Sequence, residues 1–384
     1  MPVDFQQIRN QAVEMGRQAP EQMQRSRTLL QNALEVFESL GERSEEVRER
    51  VQNAAAEDKK LRCAFPSSEP ILNSYPEPDC SPAEVTLAAD GSQINPSRHE
   101  AADFGVVNCG ALRMATEELP REIVQSKLLY FEDIEGKSEE MIALMRDVGE
   151  RQLLVELAKE GSGSVVALTD GMLDIYREPR QDAEFNRRFD DYLASLRALA
   201  ALRTIVAGYV DKPRADLLVR MLELMDGSEK DMLVRARERP LGGVTDAMLL
   251  NGRLQPGMRS AVFGIESSSS EQFNGPLRLH FFYLNVGIEN IPQLARVEIP
   301  AWVAEDQDLV NTLHATLLFQ CRMTGSVPYP YILHRAHEIA VVGLAEREQI
   351  GAMIDIELRR NGVDPGIRSS KQFMKDLAGK ARYE

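Results

Sequence analysis

Apolar and polar positions recur along the chain with two different periods, and each period predicts one kind of element. Residues 138–160 carry apolar side chains at every third or fourth position, which places these side chains on one face of a helix. Largely apolar runs of strand length occupy residues 84–90, 163–170 and 203–210. Runs of this kind are typical of strands that are covered on both faces of a sheet. The pattern therefore predicts a chain that mixes helices with buried strands.

The order of these segments between residues 84 and 210 predicts a particular class of fold. Residues 103–112 and 126–134 are expected to form the second and third strands of an antiparallel meander, and residues 182–202 a second helix. The predicted order is then β-β-β-α-β-α-β. A meander followed by α/β crossovers is typical of a mixed sheet with helices on its faces. We predict an α/β fold of this kind, with an N-terminal helical arm and a C-terminal β/helical extension.

The flanking segments complete the predicted domain organisation. Residues 5–60 show helical spacing, with a break and a new helix expected at Pro20, and residues 64–84 hold five prolines that predict an irregular connector. Further strands are expected within residues 261–299, followed by helices over about 305–323 and 329–361. The predicted ranges are a helical arm at 1–63, a connector at 64–83, a main domain at 84–361 and a basic tail at 362–384.

Charge and composition narrow the possible functions. The chain has 384 residues and a net charge of −15, from 45 basic and 60 acidic residues. This excess argues against broad, unspecific binding of nucleic acid, which needs surplus Lys and Arg. Bound cations or a local basic groove can reverse the field at a single site. A nucleic-acid enzyme with a metal site therefore remains compatible with the charge.

Other features of the sequence indicate a cytoplasmic protein. No apolar run of about 18 residues predicts a membrane span, and the N-terminal residues lack the layout of a signal peptide. The four cysteines form no C-x-x-C pair, so we expect free thiols and no structural zinc site.

Two predicted strands end in an acid followed by glycine, at Asp90 in LAAD-GS and at Asp170 in ALTD-GM. Each Asp-Gly pair alone is also a common turn, in which the glycine lets the chain change direction. If both strands are central in one sheet, the two carboxylates lie close together and repel each other unless a cation separates them. Oxygen ligands favour Mg²⁺ or Mn²⁺. The pair of motifs therefore indicates a metal site.

Further candidates for this chemistry come from a helix, a loop and a histidine pair. In the helix over 138–160, Glu150 lies four residues after Arg146 and shares its face, although a solvated face of ion pairs has the same pattern. Lys212 follows the strand over 203–210 beside a proline, in a loop that suits a phosphate but also reads as an ordinary charged loop. His334 and His337 are one helical turn apart, and either one is a candidate metal ligand, a proton-transfer group or a structural residue.

Four segments occur in the order that is seen in the NurA nucleases, and the chain resembles that family over roughly residues 84–345. The segments are AADGSQINPSRH, LTDGML, GYVDKPR and YPYILHRAHEIA. The resemblance implies a ribonuclease-H-like core and a Mn²⁺-dependent DNA nuclease, with Mg²⁺ as the other candidate metal. It also implies 5′-to-3′ exonuclease and single-strand endonuclease activity on single- and double-stranded DNA ends, a homodimer, and a HerA-type hexameric ATPase as partner in recombination and repair.

Carried over position by position, the resemblance implies a set of site residues. Metal ligands would be Asp90, Glu150, Asp170 and His337, and Lys212 would join them as a catalytic residue. The second motif departs from the family pattern, because Met172 stands where a serine is usual. The helix glutamate has no rigid local motif, so Glu156 is the alternative to Glu150, and Asp246 is a further acid expected near the site.

Two hypotheses follow for the function. The first is a metal-dependent DNA nuclease, and the second is a non-catalytic DNA-binding or assembly subunit on the same scaffold, since a fold does not determine a function. A phosphotransfer enzyme is disfavoured because the chain contains no G-x-x-x-x-G-K-[ST] loop for ATP.

Overall fold

The computed structural model describes most of the chain, and its contacts separate two compact units. The described residues are 3–96, 103–116, 118–135, 137–161, 163–175, 183–225, 232–269, 271–288 and 291–364. The first unit comprises residues 1–81, 171–176 and 207–318, and the second unit comprises residues 82–170, 177–206 and 319–384. The predicted basic tail lies almost wholly outside the described residues.

Helices and strands alternate through both units. The helices are α1 (Phe5–Glu38), α2 (Ser44–Glu57), α3 (Glu139–Ala158), α4 (Ala183–Ala201), α5 (Leu217–Glu223), α6 (Met232–Glu238), α7 (Asp246–Leu250), α8 (Ala301–Ala304), α9 (Gln307–Met323), α10 (Tyr331–Ala340) and α11 (Leu344–Arg360). The strands are β1 (Cys63–Pro66), β2 (Ser74–Tyr75), β3 (Val85–Ile94), β4 (Gly105–Ala115), β5 (Arg121–Leu129), β6 (Val165–Asp170), β7 (Ile205–Val210), β8 (Arg259–Ser260), β9 (Phe263–Glu266), β10 (Leu279–Asn285) and β11 (Leu294–Pro300). No helix within the described residues has the length and apolarity needed to cross a membrane.

The second unit contains the predicted mixed sheet. Strands β3, β4 and β5 form an antiparallel meander, and β6 pairs with β3 in parallel, which gives the order β6-β3-β4-β5. Helix α3 packs on β3 and β4 from one face, and α10 packs on the same two strands. Two neighbouring residues of β4 show which face each helix covers. A Cβ at Gly110 would meet α10, whereas the side chain of Cys109 approaches Gly149 of α3. Because successive side chains of a strand point to opposite faces, the two helices cover opposite faces of the sheet. The predicted fold class is confirmed.

Helix α3 forms where the 3.6-residue period predicted it. Ser138 caps its N-terminus by accepting a hydrogen bond from the Met141 N–H. The apolar stripe that includes Leu144, Val148 and Leu154 is buried. The helix therefore has one face on the sheet, and any polar group within that stripe is carried into the core.

Asp90 does not end its strand, contrary to the expectation from the sequence. β3 runs through Asp90 and Gly91 to Ile94 and stays paired with β4 over this whole length. Gly91 serves a close approach instead of a turn, because a Cβ there would lie 2.4 Å from Arg146 Cγ on α3. At Asp170 the expectation is correct: β6 ends at this residue, and Gly171 follows with φ +88°.

The contact between Gly110 and α10 yields a stability prediction. A Cβ at Gly110 would lie 2.9 Å from the Ala340 backbone nitrogen and 3.1 Å from Ala340 Cα, and backbone atoms cannot move aside singly. We expect Gly110→Ala to displace α10 and to lower the free energy of unfolding by about 1–3 kcal/mol. Urea unfolding measures this change. Gly252→Ala is a control for the general cost of replacing glycine, since its φ of +82° strains alanine but nothing lies within 4 Å of a Cβ there. Equal stability of Gly110→Ala and the wild type would contradict this packing.

The first unit is built on antiparallel strands in the order β1-β9-β10-β11-β7, in which β7 contributes its residues from Ala207 onward. The expected strands within residues 261–299 are present as β9, β10 and β11. The expected irregular connector instead contains β1, which is buried and pairs with β9. Hydrogen bonding to a partner distant in sequence stabilises this strand despite the prolines around it. The end of the predicted arm thereby joins the strands of the first unit.

Two expected helix boundaries were wrong. Helix α1 passes through Pro20 without ending, since a proline removes one hydrogen bond and the helix turns on both sides remain intact. The helix expected over 329–361 is two helices, α10 and α11, separated at residues 341–343. The Gly343 N–H donates to the Glu346 carboxylate and starts α11, whose Ile350 and Ile354 pack against Ile94 and its neighbours.

Candidate active site

Asp90 lies in the central strand of the second unit and contacts a histidine from a helix. Its carboxylate Oδ2 is 2.7 Å from His337 Nδ1 on α10, and its Oδ1 accepts a hydrogen bond from the Gly91 N–H at 2.8 Å. The Asp90 side chain is 20% exposed and that of His337 is 64% exposed. The pair therefore opens to solvent, where a substrate has access to it.

A set of polar contacts fixes the end of α10 that carries His337. The Ala340 carbonyl accepts hydrogen bonds from Ser92 Oγ at 2.6 Å and from Asn108 Nδ2 at 2.7 Å. Asn108 in turn accepts from Ser126 Oγ of β5 at 2.6 Å. Terminal carbonyls of a helix lack partners within the helix, so these side chains both satisfy the carbonyl and set the position of α10. Ser92, the serine of the Asp-Gly-Ser motif, thus has a structural role: it holds α10 through the Ala340 carbonyl.

Glu150 approaches β3 from α3 and is almost fully buried, with 6% of the residue exposed. One carboxylate oxygen bonds to the Arg151 guanidinium, and the other, Oε1, is 3.4 Å from Arg146 Nε. A Cβ at Gly91 would lie only 2.8 Å from Glu150 Oε1. Glu150 therefore lies directly beside the residue that follows Asp90.

The other glutamate proposed for this role occupies a different environment. Glu156 is exposed on α3 and accepts a long hydrogen bond of 3.5 Å from Gln125 of β5. Since Glu150 reaches Gly91 and Glu156 reaches the strand at the other end of the sheet, the geometry favours Glu150 as the partner of Asp90.

Acidic charge is concentrated around Glu150. Burial raises the pKa of the Glu150 carboxyl above its usual value, Arg151 and Arg146 oppose this change, and the carboxylates of Asp147 and Asp90 raise it further. Like charges this close are costly unless positive charge is placed among them. In this structure the two guanidinium groups supply the positive charge.

Asp170 lies on the strand next to β3. The parallel register pairs Ala89 of β3 with Thr169 of β6, so Asp90 and Asp170 are the next residues in that register. Asp170 is exposed at the end of β6, while Thr169 is buried. The two acids therefore lie on adjacent strands, each directly after the last residue pair of the ladder.

The donor types at this position fit a hard divalent cation. Asp90, Glu150 and Asp170 supply carboxylate oxygens and His337 supplies an imidazole nitrogen, a combination that suits Mn²⁺ or Mg²⁺. Among the residues described, however, no three His, Cys, Asp or Glu side chains are already arranged as a metal-binding group. Asp90 is bonded to His337 instead, and Glu150 Oε1 lies 3.4 Å from Arg146 Nε. A metal would replace these two partners, while Arg151 can remain on the other Glu150 oxygen.

Lys212 belongs to the first unit, in the loop after β7. Lys212 and Arg214 are exposed on either side of the buried Pro213, as a phosphate-binding loop requires. Lys212 adopts φ +46°, a conformation that is unusual for a residue with a side chain. Asp211 accepts a hydrogen bond of 2.9 Å from Gln293, which anchors the loop on its N-terminal side. The loop is therefore held in place while its cationic side chains reach solvent.

The remaining histidines have other environments. His280 and His314 are buried and bond to the backbone carbonyls of Arg278 and Gly257, which indicates structural roles. Burial lowers the pKa of His280 to about 4. His334 lies 3.5 Å from Glu338 on the surface of α10, and His99 lies outside the described residues.

Asp246 is a buried structural acid of the first unit. Its Oδ1 accepts the Val219 N–H at 3.1 Å near the start of α5, and its Oδ2 accepts the Tyr283 hydroxyl at 2.9 Å. The residue is fully buried, and this burial raises the pKa of its carboxyl to about 7. The hydrogen bonds that the carboxylate accepts lower the pKa, but the effect of burial is larger. These contacts stabilise the N-terminus of a helix and account for the residue without a catalytic role.

This raised pKa predicts a pH-dependent stability. Between about pH 4 and pH 7 the folded state holds a proton on Asp246 that the unfolded chain, with an ordinary carboxyl pKa, has released. The protonated Asp246 therefore contributes to the free energy of unfolding at low pH, and this contribution is lost as the pH rises through about 7. We expect the free energy of unfolding of Asp246→Asn, relative to the wild type, to increase by about 2–3 kcal/mol from pH 5 to pH 7.5. Urea unfolding of both proteins measures this, and a pH-independent difference would contradict the raised pKa.

Three residues that the sequence interpretation missed, Arg151, Thr169 and Tyr192, form a buried group beside Glu150. Arg151 is 4% exposed, bonds to Glu150, and donates to Thr169 Oγ1 at 3.2 Å. Its guanidinium carbon lies 5.3 Å from the ring centroid of the buried Tyr192 on α4. Arg151 falls three residues after Val148 and three before Leu154, so a charge on the apolar stripe of a helix was the available signal.

Comparison with known proteins identifies the family of the chain. A sequence profile of the NurA domain matches residues 84–342, which is more than half of the chain. No protein with curated annotation matches the sequence. The chain is similar in structure to the NurA nuclease from Sulfolobus solfataricus, with a TM-score of 0.50 and 14% identity, over 85% of this chain and 98% of that chain. At this identity the structural match concerns the fold.

Weaker similarities are to endonuclease V structures. The Ciona intestinalis endonuclease V in complex with a 24mer DNA containing an inosine followed by a ribo-adenosine matches at a TM-score of 0.32 and 11% identity, over 80% of this chain and 99% of that chain. The catalytic domain of human endonuclease V matches at a TM-score of 0.32 and 12% identity, over 80% and 95%. The profile match over residues 84–342 does decide the family: the chain belongs to the NurA domain family.

Proposed function

We propose that this protein is a metal-dependent DNA nuclease that hydrolyses phosphodiester bonds. The observation that carries the proposal is the Asp90–His337 contact of 2.7 Å in the central strand of the NurA domain. Asp170 is next to Asp90 in the strand register, and Glu150 lies beside Gly91. Carboxylates from β3, β6 and α3 together with a histidine are the usual ligands of a nuclease metal site, and this combination of residues supports the proposal.

Asp90, Glu150, Asp170 and His337 would hold Mn²⁺, or Mg²⁺ as the alternative. When bound, the ion would supply a nucleophilic water at neutral pH and stabilise charge on the leaving oxygen. The metal would also make DNA binding compatible with the net charge of −15. Its positive field would locally outweigh the repulsion between the acidic protein and the DNA phosphates.

The chain's own groups would orient the substrate and handle protons. As the alternative to binding the metal, the exposed His337 imidazole, whose Nδ1 lies 2.7 Å from Asp90 Oδ2, would handle a proton of the reaction. Lys212 is proposed to contact the scissile phosphate through its exposed ammonium group. These contacts stabilise negative charge that develops as the phosphodiester bond breaks.

The finer features of the activity rest on family membership. We propose 5′-to-3′ exonuclease and single-strand endonuclease activity on DNA ends during recombination and repair, in the cytoplasm, by a homodimer that works with a HerA-type hexameric ATPase. The sequence contains no G-x-x-x-x-G-K-[ST] loop, which supports a separate motor protein for any ATP-driven movement along DNA.

Degradation of end-labelled linear DNA tests the proposal. Single- and double-stranded substrates are incubated with the protein and Mn²⁺, Mg²⁺ or EDTA, with and without the ATPase partner. We expect cutting with Mn²⁺ and none with EDTA. The position of the label, 5′ or 3′, reports the polarity. A folded protein that binds DNA but never cuts it, with either metal and with the partner present, would support the non-catalytic subunit instead.

A further inference from the structure

We propose that Arg151 is a positioning residue, which holds Glu150 and the end of β6 at a constant separation so that Glu150 and Asp170 meet the same metal ion. This inference rests on the proposed function, because it takes these two acids as ligands. Arg151 touches neither the substrate nor the metal in this proposal. It acts through the two residues to which it is bonded.

The contacts of Arg151 connect two elements of the second unit. Its Nη1 bonds to Glu150 Oε2 on α3, and its Nη2 donates to Thr169 Oγ1 on β6 at 3.2 Å. Thr169 is the residue immediately before Asp170 and is 1% exposed. The planar guanidinium group of Arg151 thus connects the proposed ligand Glu150 to Thr169, the residue next to the proposed ligand Asp170. A fork of two donors in fixed geometry transmits position in a way that a single ammonium group cannot.

The surroundings of Arg151 hold the guanidinium group itself in place. Tyr192 of α4 is fully buried, and its ring centroid lies 5.3 Å from the guanidinium carbon of Arg151. The two side chains are also hydrogen-bonded to each other. Asp147, one turn earlier on α3, adds a further attractive charge. Arg151 therefore contacts α3, β6 and α4 at once, and its rotamer is determined by packing as well as by charge.

The neighbouring Arg146 makes a useful contrast. It also approaches Glu150, but Nε is 3.4 Å from Oε1, its side chain is 31% exposed, and its shorter contact of 2.9 Å is to Asp147. A cation that reaches solvent in this way can leave when a metal arrives. Arg151 is enclosed and can retain its bonds to Glu150 Oε2 and Thr169 Oγ1 while Glu150 Oε1 faces the ion. The two arginines next to Glu150 thus have different roles.

The test compares Thr169→Val, Arg151→Lys and the surface control Arg121→Lys, whose partner is the exposed Glu160. Thr169→Val removes only the hydroxyl that Arg151 bonds and keeps the branched shape. We measure Mn²⁺ affinity by calorimetry, kcat and KM for DNA cleavage, and the melting temperature. Outer-shell partners of metal ligands typically change affinity or activity about 10–100-fold. We expect Thr169→Val to weaken Mn²⁺ binding and lower kcat about tenfold, Arg151→Lys to do so more strongly, and both to leave KM for DNA unchanged.

Each outcome separates the positioning role from a purely structural one. A lower melting temperature with unchanged Mn²⁺ affinity and kcat in folded Thr169→Val would overturn the inference. If Arg151→Lys fails to fold because position 151 is buried, Thr169→Val decides alone. Should the wild type cut no DNA, the proposed nuclease function fails, while the Mn²⁺ affinities of the same proteins still decide whether Arg151 positions the ligands. Absence of Mn²⁺ binding by the wild type would overturn both.

Discussion

Asp90→Asn is expected to abolish DNA cleavage while leaving the protein folded. Asparagine keeps the size of the side chain and an oxygen that can accept the Gly91 N–H, but it loses the negative charge that would hold the metal. Metal-derived stabilisation of the transition state is worth several kcal/mol, so the loss corresponds to a rate decrease of about 10²–10⁴-fold. The measurement is the initial rate of cleavage of end-labelled DNA in Mn²⁺.

A matched control distinguishes this effect from a general loss of acidic charge. Asp133→Asn removes an acid of the same unit that pairs with Lys127 at 4.0 Å, and this variant should cut DNA at the wild-type rate. Circular dichroism and the melting temperature confirm folding of both variants. Wild-type activity of Asp90→Asn would show that Asp90 is not part of the active site. It would also contradict the nuclease proposal, which depends on the Asp90–His337 contact.

Glu150→Gln and Glu156→Gln are expected to behave very differently, although both acids lie on α3. Glu150 lies beside Gly91 and is buried, whereas Glu156 is exposed and 3.5 Å from Gln125. Glutamine at position 150 keeps the shape but removes one ligand charge, and we expect a decrease in the cleavage rate of about 10²-fold or more. Glu156→Gln should retain wild-type cleavage.

Stability provides the second readout for this pair of variants. Glu150→Gln leaves the buried Arg151 without its anionic partner, so a moderate fall in melting temperature is expected together with the loss of activity. Excess Mn²⁺ should restore part of the cleavage by Glu150→Gln if the variant retains the other ligands. Loss of activity in Glu156→Gln with normal cleavage by Glu150→Gln would reverse the assignment of the helix ligand.

Hydrophobic periodicity was sufficient to predict the fold class and most elements of the second unit. The alternation of buried runs and one strongly periodic helix is a local property, so β4, α3 and β6 were found within a few residues. The third strand, expected over 126–134, instead spans Arg121–Leu129, where exposed and polar side chains hide the strand pattern. The long-range pairing of β1 with β9 was not found, because its stabilising hydrogen bonds come from residues about 200 positions later. The prolines around β1 predicted a connector, and tertiary pairing outweighed that local signal.

The candidate site was predictable in its residue types but not in its contacts. The two Asp-Gly motifs pointed to Asp90 and Asp170, and the register pairs the residues directly before them, Ala89 and Thr169. The meaning of Gly91 was misjudged, since the glycine permits the approach of α3 instead of a turn. A close approach of two elements depends on packing in three dimensions, and no spacing in the sequence reports it.

Anomalous diffraction from crystals soaked in Mn²⁺ is the most direct measurement of the proposed site. We expect an anomalous peak at coordination distance, about 2 Å, from the carboxylates of Asp90 and Asp170, with the Asp90–His337 bond of 2.7 Å replaced by contacts to the ion. The same experiment on Asp90→Asn should give a weaker peak or none. Full occupancy of Mn²⁺ elsewhere in the protein, with Asp90 and His337 still bonded to each other, would contradict the proposal that these residues hold the catalytic metal.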